Sequence, residues 1–171
     1  MPEPAYDVVV RLASKDFARI TSSLATCSQH GHSLFLLLRA GQVGLLGSTV
    51  SVSVTKNTIT FLSVGAKVTC QIGFSQKPSP ADPVLTLFRF SALSTHSVPQ
   101  ATAFKVLAHR ANVQQTFDTF FLARFAAAAP LSPNIFLYFA DRMPVRVAFE
   151  LGEIGAIHYY LAPSHADQEH R

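Results

Sequence analysis

Two periodicities of apolar residues alternate along the chain, and the points where one replaces the other predict the order of its elements. A β-branched run at residues 7–12 predicts a strand, and Ser14 then stands where a helix N-cap belongs. The helix that follows extends to about Gln29, with Gly31 beyond it as a C′ residue. At 100° per residue, its apolar and polar side chains separate onto two faces. The apolar face has Phe17, Ile20, Leu24 and Cys27, and the polar face has Lys15, Arg19, Ser22 and Thr26.

Strand-like segments follow this helix, with Gly, Lys-Asn and Val-Gly turn signals between them. They predict strands at residues 33–39, 49–55, 58–63 and 67–74. Residues 75–103, which contain four prolines, predict a long loop with a short strand at 85–90.

The second half of the chain repeats this order of elements. Strands are predicted at 104–109 and 113–117, and a second helix at 118–128, which ends before Pro130. The later strands are predicted at 134–140, 144–151 and 154–161, and a disordered polar tail at 164–171. Strand, helix and several strands therefore occur twice, which favours an α+β fold of antiparallel sheets with both helices on one face.

Composition adds a shortage of charge to this picture. Of the 171 residues, 49% are hydrophobic and 14% are charged, against about 25% charged in an average domain. Such a chain has the apolar residues that a folded core needs, and its surface is expected to be covered in part by partners. The net charge is +4, a basic balance that is compatible with nucleic acid without demanding it.

Targeting and redox signals are scarce. No apolar run approaches the roughly 18 residues of a membrane span, and residues 1–7 lack the basic and apolar regions of a secretion signal. Two cysteines are too few for a disulfide framework. We expect a reduced, intracellular protein that has no membrane partner.

Candidate catalytic and metal-binding groups are weak. Cys27, His30 and His32 lie close together and could bind zinc, but no fourth ligand is evident, and Cys27 also suits a buried thiol on an apolar face. Nucleophile-elbow, P-loop and dinucleotide motifs are absent from the sequence, and no carboxylate pair has a spacing that favours acid–base catalysis. We therefore expect neither enzymatic activity nor a cofactor.

The polar face of the first helix is the one candidate binding surface. Lys15 and Arg19 are four residues apart, and Arg11 precedes them on the first strand. A flat face with a few long basic side chains can lie along phosphates without contacting bases. A merely solvated face fits the same residues, and the sequence pattern leaves both interpretations open.

Motifs near the two ends of the chain resemble a known family. Tyr159-Tyr160-Leu161-Ala162-Pro163 is similar to the C-terminal signature of proliferating cell nuclear antigens, the eukaryotic DNA sliding clamps. Further similar segments occur in the family's order: Pro2-Glu3 and Tyr6, Phe17-Ala18-Arg19-Ile20, Thr116-Phe117 with Phe121, Leu122 and Phe125, Pro130-Leu131-Ser132, Ala140-Asp141, Pro144 and Glu150. The resemblance covers one of a clamp chain's two domains, so we expect a C-terminal domain from a longer protein. Residues 1–6 would end the interdomain linker, and residues 7–163 would form the domain.

The resemblance implies a non-catalytic processivity factor of the nucleus. A full-length clamp is a homotrimeric ring that encircles double-stranded DNA, is placed there by a clamp loader, and docks DNA polymerases and repair proteins through a short clamp-binding motif. The resemblance implies roles for three groups of residues in this chain. DNA would face Arg11, Lys15, Arg19 and Arg124; the partner peptide would bind Met1, Pro2, Asp141, Pro144, Tyr160, Leu161, Ala162 and Pro163; and the neighbouring subunit would pair with the strand Lys67, Val68, Thr69, Cys70, Gln71 and Ile72.

Departures from the family pattern keep other interpretations open. Phe120 and Ala127 occupy second-helix positions where the family commonly has basic residues, and Ser22 replaces another on the first helix. Insertions lengthen residues 40–57 and 75–103. A subunit of a checkpoint-type clamp would tolerate such changes, and a β-rich small-molecule carrier could use the many phenylalanines to line a cavity. A fragment with one of the two ring surfaces is not expected to form the native trimer.

Overall fold

The computed structural model describes residues 5–29, 49–64, 69–76, 89–90 and 104–164, with the side chains of all but 26–29 and 89–90. Two α-helices and ten strands occur in these ranges. The helices are α1 (Ser14–Gln29) and α2 (Thr119–Phe125), and the strands are β1 (Val8–Ala13), β2 (Thr49–Val54), β3 (Thr58–Val64), β4 (Thr69–Ser75), β5 (Arg89–Phe90), β6 (Lys105–His109), β7 (Val113–Asp118), β8 (Asn134–Phe139), β9 (Val145–Glu150) and β10 (Ala156–Leu161).

The strands form two antiparallel sheets. The first strand of each repeat, β1 or β7, pairs with the meander of the other repeat, and we call this the exchange of leading strands. The first sheet has the order β10-β9-β8-β1-β6, and the second has the order β5-β4-β3-β2-β7. The meander β2-β3-β4 therefore pairs with β7 from the second half of the chain. The meander β8-β9-β10 pairs in turn with β1 from the first half. The repeated strand–helix–strands order predicted from the sequence is confirmed, and the two repeats interlock.

One core joins both sheets and both helices. Helix α1 contacts strands of both sheets and packs against α2. Its buried side chains Phe17, Ile20 and Leu24 are those of the apolar face predicted from the sequence. The largest fully buried side chains are Phe17, Phe117, Phe139, Phe149, Leu12, Leu24, Ile59, Ile72, Ile135 and Leu137. The predicted α+β architecture is confirmed, with antiparallel sheets and two helices that pack against each other.

The second helix differs from its predicted extent. Its α-helical part ends at Phe125, and Ala126–Leu131 continues as a 3-10 helix that contains Pro130. Proline has no N–H to donate, and its ring clashes with the carbonyl four residues earlier. The tighter 3-10 winding avoids that α-helical contact, so the chain continues past the expected end in another geometry.

Other predicted boundaries move by one or two residues, and some predictions cannot be compared. Strand β10 begins at Ala156 because Gly152–Ile154 forms a short 3-10 turn, with Gly152 and Gly155 at positive φ. The predicted strand at 33–39, the greater part of the loop at 75–103 and tail residues 165–171 lie outside the described residues. Of the short strand predicted at 85–90, Arg89–Phe90 is described and pairs with β4. In the described ranges no helix has the length and hydropathy required to cross a bilayer.

Helix α2 depends on its cap because it is short. The Asp118 side chain accepts a hydrogen bond of 2.8 Å from the backbone N–H of Phe120. We expect Asp118→Ala to lower the free energy of unfolding by about 1 kcal/mol, since the N-terminal N–H of the helix loses its acceptor. Asp118→Asn keeps an acceptor and is the control. Urea unfolding checks this, and equal losses in both variants would contradict the capping role.

Candidate functional site

The solvent face of α1 presents the basic residues that the sequence pattern placed there. Lys15, Arg19 and Ser22 are exposed, on the side opposite Phe17 and Ile20. Arg19 is partly neutralised, because its Nη1 lies 4.0 Å from Oδ1 of Asp16. The Asp16 side chain is 6% exposed and stands in the first turn of α1, where the helix dipole favours an acid. Lys15 is thus the more available charge.

Helix α2 presents aromatic rings in place of charge. Phe120 and Phe121 are 43% and 47% exposed and meet edge to face, with 5.4 Å between ring centroids. The guanidinium carbon of Arg124 lies 4.8 Å from the centroid of the Phe120 ring. Ala127 is also exposed. The exposed face of α2 therefore offers the single cation Arg124, which is stacked on an aromatic neighbour.

Arg11 is separated from Lys15 and Arg19. Strand residues alternate between the two faces of a sheet, and Val10 and Leu12 are buried in the core that contains α1. Arg11, which lies between them, is directed to the opposite face of the first sheet and is half-buried. The alternation of β1 thus separates Arg11 from the two cations of α1, and the assignment of Arg11 to the DNA-facing group stays a prediction.

A second candidate surface surrounds the end of β10. Tyr160 is 58% exposed, and Asp141, Pro144 and Ala162 are also exposed. Leu161 and Pro163 are half-buried. Met1 and Pro2, which the resemblance also assigns to this surface, lie outside the described residues.

Strand β7 connects the two segments that carry this surface. Gln115 is buried, and its Nε2 donates to the carbonyl oxygens of Ala140 and Met143, both at 2.9 Å. The neighbouring carbonyl of Thr116 accepts from the N–H of Ser164 at 2.7 Å. The turn that bears Asp141 and the segment after β10 are thereby attached to adjacent residues of one strand.

Gln115 was missed by the sequence interpretation, although a signal exists. In β7 the core-facing positions are Val113, Gln115 and Phe117, so an amide interrupts an apolar alternation. A polar side chain at such a position requires a hydrogen-bond partner. The partners are carbonyls of a turn 25 and 28 residues away, which the sequence pattern does not identify.

The 140–143 turn also has an unusual backbone conformation. The N–H of Met143 donates to the carbonyl of Ala140 at 3.2 Å, and Arg142 has φ of 56°. A positive φ is uncommon for residues with a side chain. The contacts of Gln115 offset the cost of this conformation, because they hold the carbonyls on both sides of Arg142.

Strand β4, which includes most of the residues predicted to form a subunit interface, has part of its outer edge paired with another strand. Cys70 and Gln71 of β4 pair with Phe90 and Arg89 of β5. Cys70 and Ile72 are buried in the core. Lys67 and Val68 lie outside the described residues. The pairing of residues 67–72 with a neighbouring subunit stays a prediction, and at Cys70 and Gln71 the edge of β4 is already paired with β5, a segment of the following insertion.

The side chains proposed as zinc ligands are not among those that the structure describes. His30 and His32 lie outside the described residues, as does the side chain of Cys27. Within the ranges that the structure describes, no three His, Cys, Asp or Glu side chains are grouped as a metal site would require.

Replacing Gln115 tests whether β7 holds the 140–143 turn. We expect Gln115→Leu to lower the free energy of unfolding by about 1–3 kcal/mol, because the carbonyls of Ala140 and Met143 each lose a hydrogen bond, although that of Ala140 keeps the N–H of Met143 as a donor. Gln114→Leu is the matched control, since Gln114 is exposed on the same strand, and its effect should stay within about 0.5 kcal/mol. Chemical denaturation measures both. Similar values for the two variants would mean that the amide contacts do not hold the turn.

Comparisons with known proteins agree with this fold. The crystal structure of the proliferating cellular nuclear antigen from Entamoeba histolytica superposes with a TM-score of 0.64 at 20% sequence identity. The match covers 96% of this chain and 48% of that one, so the chain spans about half the length of that clamp. Residues 91–164 match the family model described as proliferating cell nuclear antigen, C-terminal domain. The resemblance found in the sequence is thus confirmed: this chain has the clamp fold, and its second half matches the C-terminal domain of the proliferating cell nuclear antigen family.

Proposed function

We propose that this chain is the C-terminal domain of a DNA sliding clamp, a non-catalytic protein that acts in the nucleus. The observation that carries the proposal is the interlocked pair of repeats, which places α1 and α2 side by side over two antiparallel sheets. Over 96% of the chain this architecture is similar to a clamp domain. In a complete ring such helices would line the hole, and the sheets would form its rim.

Duplex DNA would be contacted by the exposed face of α1. Lys15 and Arg19 lie one helical turn apart, and Arg124 is a third cation on α2. Because Asp16 partly neutralises Arg19, few phosphates can be neutralised per domain. Weak and salt-dependent binding suits a protein retained on DNA by encirclement, since affinity for each phosphate would only slow sliding.

Partner proteins would dock on the surface around the end of β10. Asp141, Pro144, Tyr160 and Pro163 are accessible there to different degrees, and β7 holds their two segments together. An exposed tyrosine beside prolines offers an apolar contact area with a hydroxyl at its rim. DNA polymerases and repair proteins that carry a short clamp-binding motif are the proposed partners, with the remainder of the pocket supplied by a preceding domain.

Assembly into a homotrimeric ring, which a clamp loader would place on DNA, would require the outer edge of β4. Strand β5 pairs with Cys70 and Gln71. A neighbouring subunit would therefore either pair with the rest of that edge or displace β5. A checkpoint-type clamp subunit remains the second candidate, and the observation that favours it is the exposed aromatic face of α2, where Phe120 stands in place of a basic residue and Phe121 is also exposed.

Removing both α1 cations tests the DNA surface. In fluorescence anisotropy with a short duplex, the double variant Lys15→Ala with Arg19→Ala should bind more weakly and lose about 1.8 from the slope of log K against log salt, because two phosphate contacts disappear. The matched control is Lys56→Ala with Arg142→Ala, which removes equal charge from exposed positions elsewhere. A loss of the same size in the control would show that net charge, and not α1, determines binding.

Replacing residues at the end of β10 tests the docking surface. In the full-length ring, Tyr160→Ala should weaken binding of a fluorescent clamp-binding-motif peptide about tenfold or more, since a half-exposed aromatic contact is removed. Pro163→Ala should weaken it less. Ile154→Ala, at an exposed apolar position in the turn before β10, is the control. Unchanged affinity in Tyr160→Ala would place the docking site elsewhere.

A further inference from the structure

The first sheet has a second face, directed away from the core. The core face carries the buried residues of β1, β8 and β9, which include Val10, Leu137 and Val147. Strand alternation places the neighbours of these residues on the other side. We name this side the outer face; its members are Val9 and Arg11 of β1, Lys105 of β6, Phe136 and Tyr138 of β8, Arg146 and Ala148 of β9, and His158 and Tyr160 of β10.

The strand register arranges the outer face in two rows. Arg11 lies opposite Lys105 on one side and opposite Phe136 on the other. Phe136 continues to Ala148, and Ala148 to His158. The adjacent row has Tyr138, Arg146 and Tyr160 in register. With strands about 4.8 Å apart, the five strands span roughly 19 Å.

Positive charge is concentrated in these rows. Lys105, Arg11 and Arg146 are their cations, His158 adds an imidazole, and the rows contain no carboxylate. In the described part of the chain, acids occur at the margins of this face, with Glu150 at one end and Asp7 and Asp141 at the other. Like charges directly opposite each other destabilise a sheet, so the pairing of Lys105 with Arg11 has an energetic cost that a bound anion would offset.

The guanidinium of Arg11 has unused hydrogen-bonding capacity. Its Nε is buried, and no acceptor for it occurs in the described residues. Leaving such a donor unsatisfied is unfavourable. The half-buried side chain lies between the exposed Lys105 and the half-buried ring of Phe136. A ligand with both a hydrogen-bond acceptor and an aromatic ring could accept from Arg11 and stack on Phe136.

Aromatic rings on the outer face are held in place by Arg146. Its guanidinium carbon lies 3.8 Å from the centroid of the Tyr138 ring and 5.1 Å from that of Tyr6. The two tyrosine rings are themselves 5.3 Å apart. Arg146 is buried, so its role is to position these rings, whereas Arg11 is half-buried and Lys105 is exposed.

We propose that the outer face binds single-stranded nucleic acid, with phosphates at Arg11 and Lys105 and a base stacked on Phe136. Aromatic planes beside cations, in rows that contain no acid, are the combination that recognises unpaired bases and their backbone. An acidic peptide would use the cations and leave the rings without a stacking partner. This site lies on the opposite side of the sheet from the core and α1, and it does not depend on the proposed clamp function.

Fluorescence anisotropy of the chain with a labelled oligothymidylate tests the proposal. Arg11→Ala and Lys105→Ala should each weaken binding and reduce the salt slope by about 0.7, the value for one phosphate of a single strand. Phe136→Leu should weaken binding about fivefold with an unchanged salt slope, since stacking is lost and charge is not. Because Lys105 is exposed, its variant keeps the test decisive if Phe136→Leu does not fold.

Two controls separate this site from general attraction. Arg142→Ala removes one exposed charge outside the outer face and should leave oligothymidylate binding unchanged. Lys15→Ala should affect duplex DNA and not the oligothymidylate. Equal losses in Arg142→Ala and Arg11→Ala would overturn the proposal. It would also be overturned if polyglutamate of equal charge competed as well as the oligonucleotide while Phe136→Leu bound normally, because the face would then be an acidic-peptide site.

Discussion

The exchange of leading strands between the two repeats is the constraint on which this structure depends. Strand β1 hydrogen-bonds to β8, and β7 hydrogen-bonds to β2, so neither meander is completed by its own repeat. Separating the halves would expose the edges of both sheets and the shared apolar core. The helices depend on the same exchange, because each follows an exchanged strand directly and is placed against the other by it.

The position of every candidate surface follows from that exchange. Arg11 and Lys15 are close in sequence, yet β1 directs Arg11 to one side of its sheet while α1 carries Lys15 on the other. Strand β7 has the opposite effect on distant segments. Through Gln115 and Thr116 it joins the turn near Asp141 to the residues that follow β10. The exchanged strands therefore separate basic residues that are close in sequence and join segments that are far apart in it.

The shortage of charge has different meanings on different surfaces. On α2 the exposed positions carry Phe120 and Phe121. The helix thus presents aromatic side chains where a surface next to DNA would favour cations. On the outer face of the first sheet the few charges are cationic and are interleaved with rings. A net charge of +4 is thus unevenly distributed, and local concentration of charge governs which ligands each surface attracts.

The amino-acid sequence by itself determined the elements and their buried faces. The periodicity of α1 predicted both its limits and its apolar side chains, since helical spacing depends on neighbours within a few residues. The β-branched alternation of β2 and β3 predicted those strands for the same reason. Tertiary structure decided the exchange of β1 and β7, the pairing of β5 with β4, the contacts of Gln115 and the separation of Arg11 from Lys15. These features join residues far apart in the chain, and their energy depends on which strands become neighbours, a quantity that local sequence patterns do not contain.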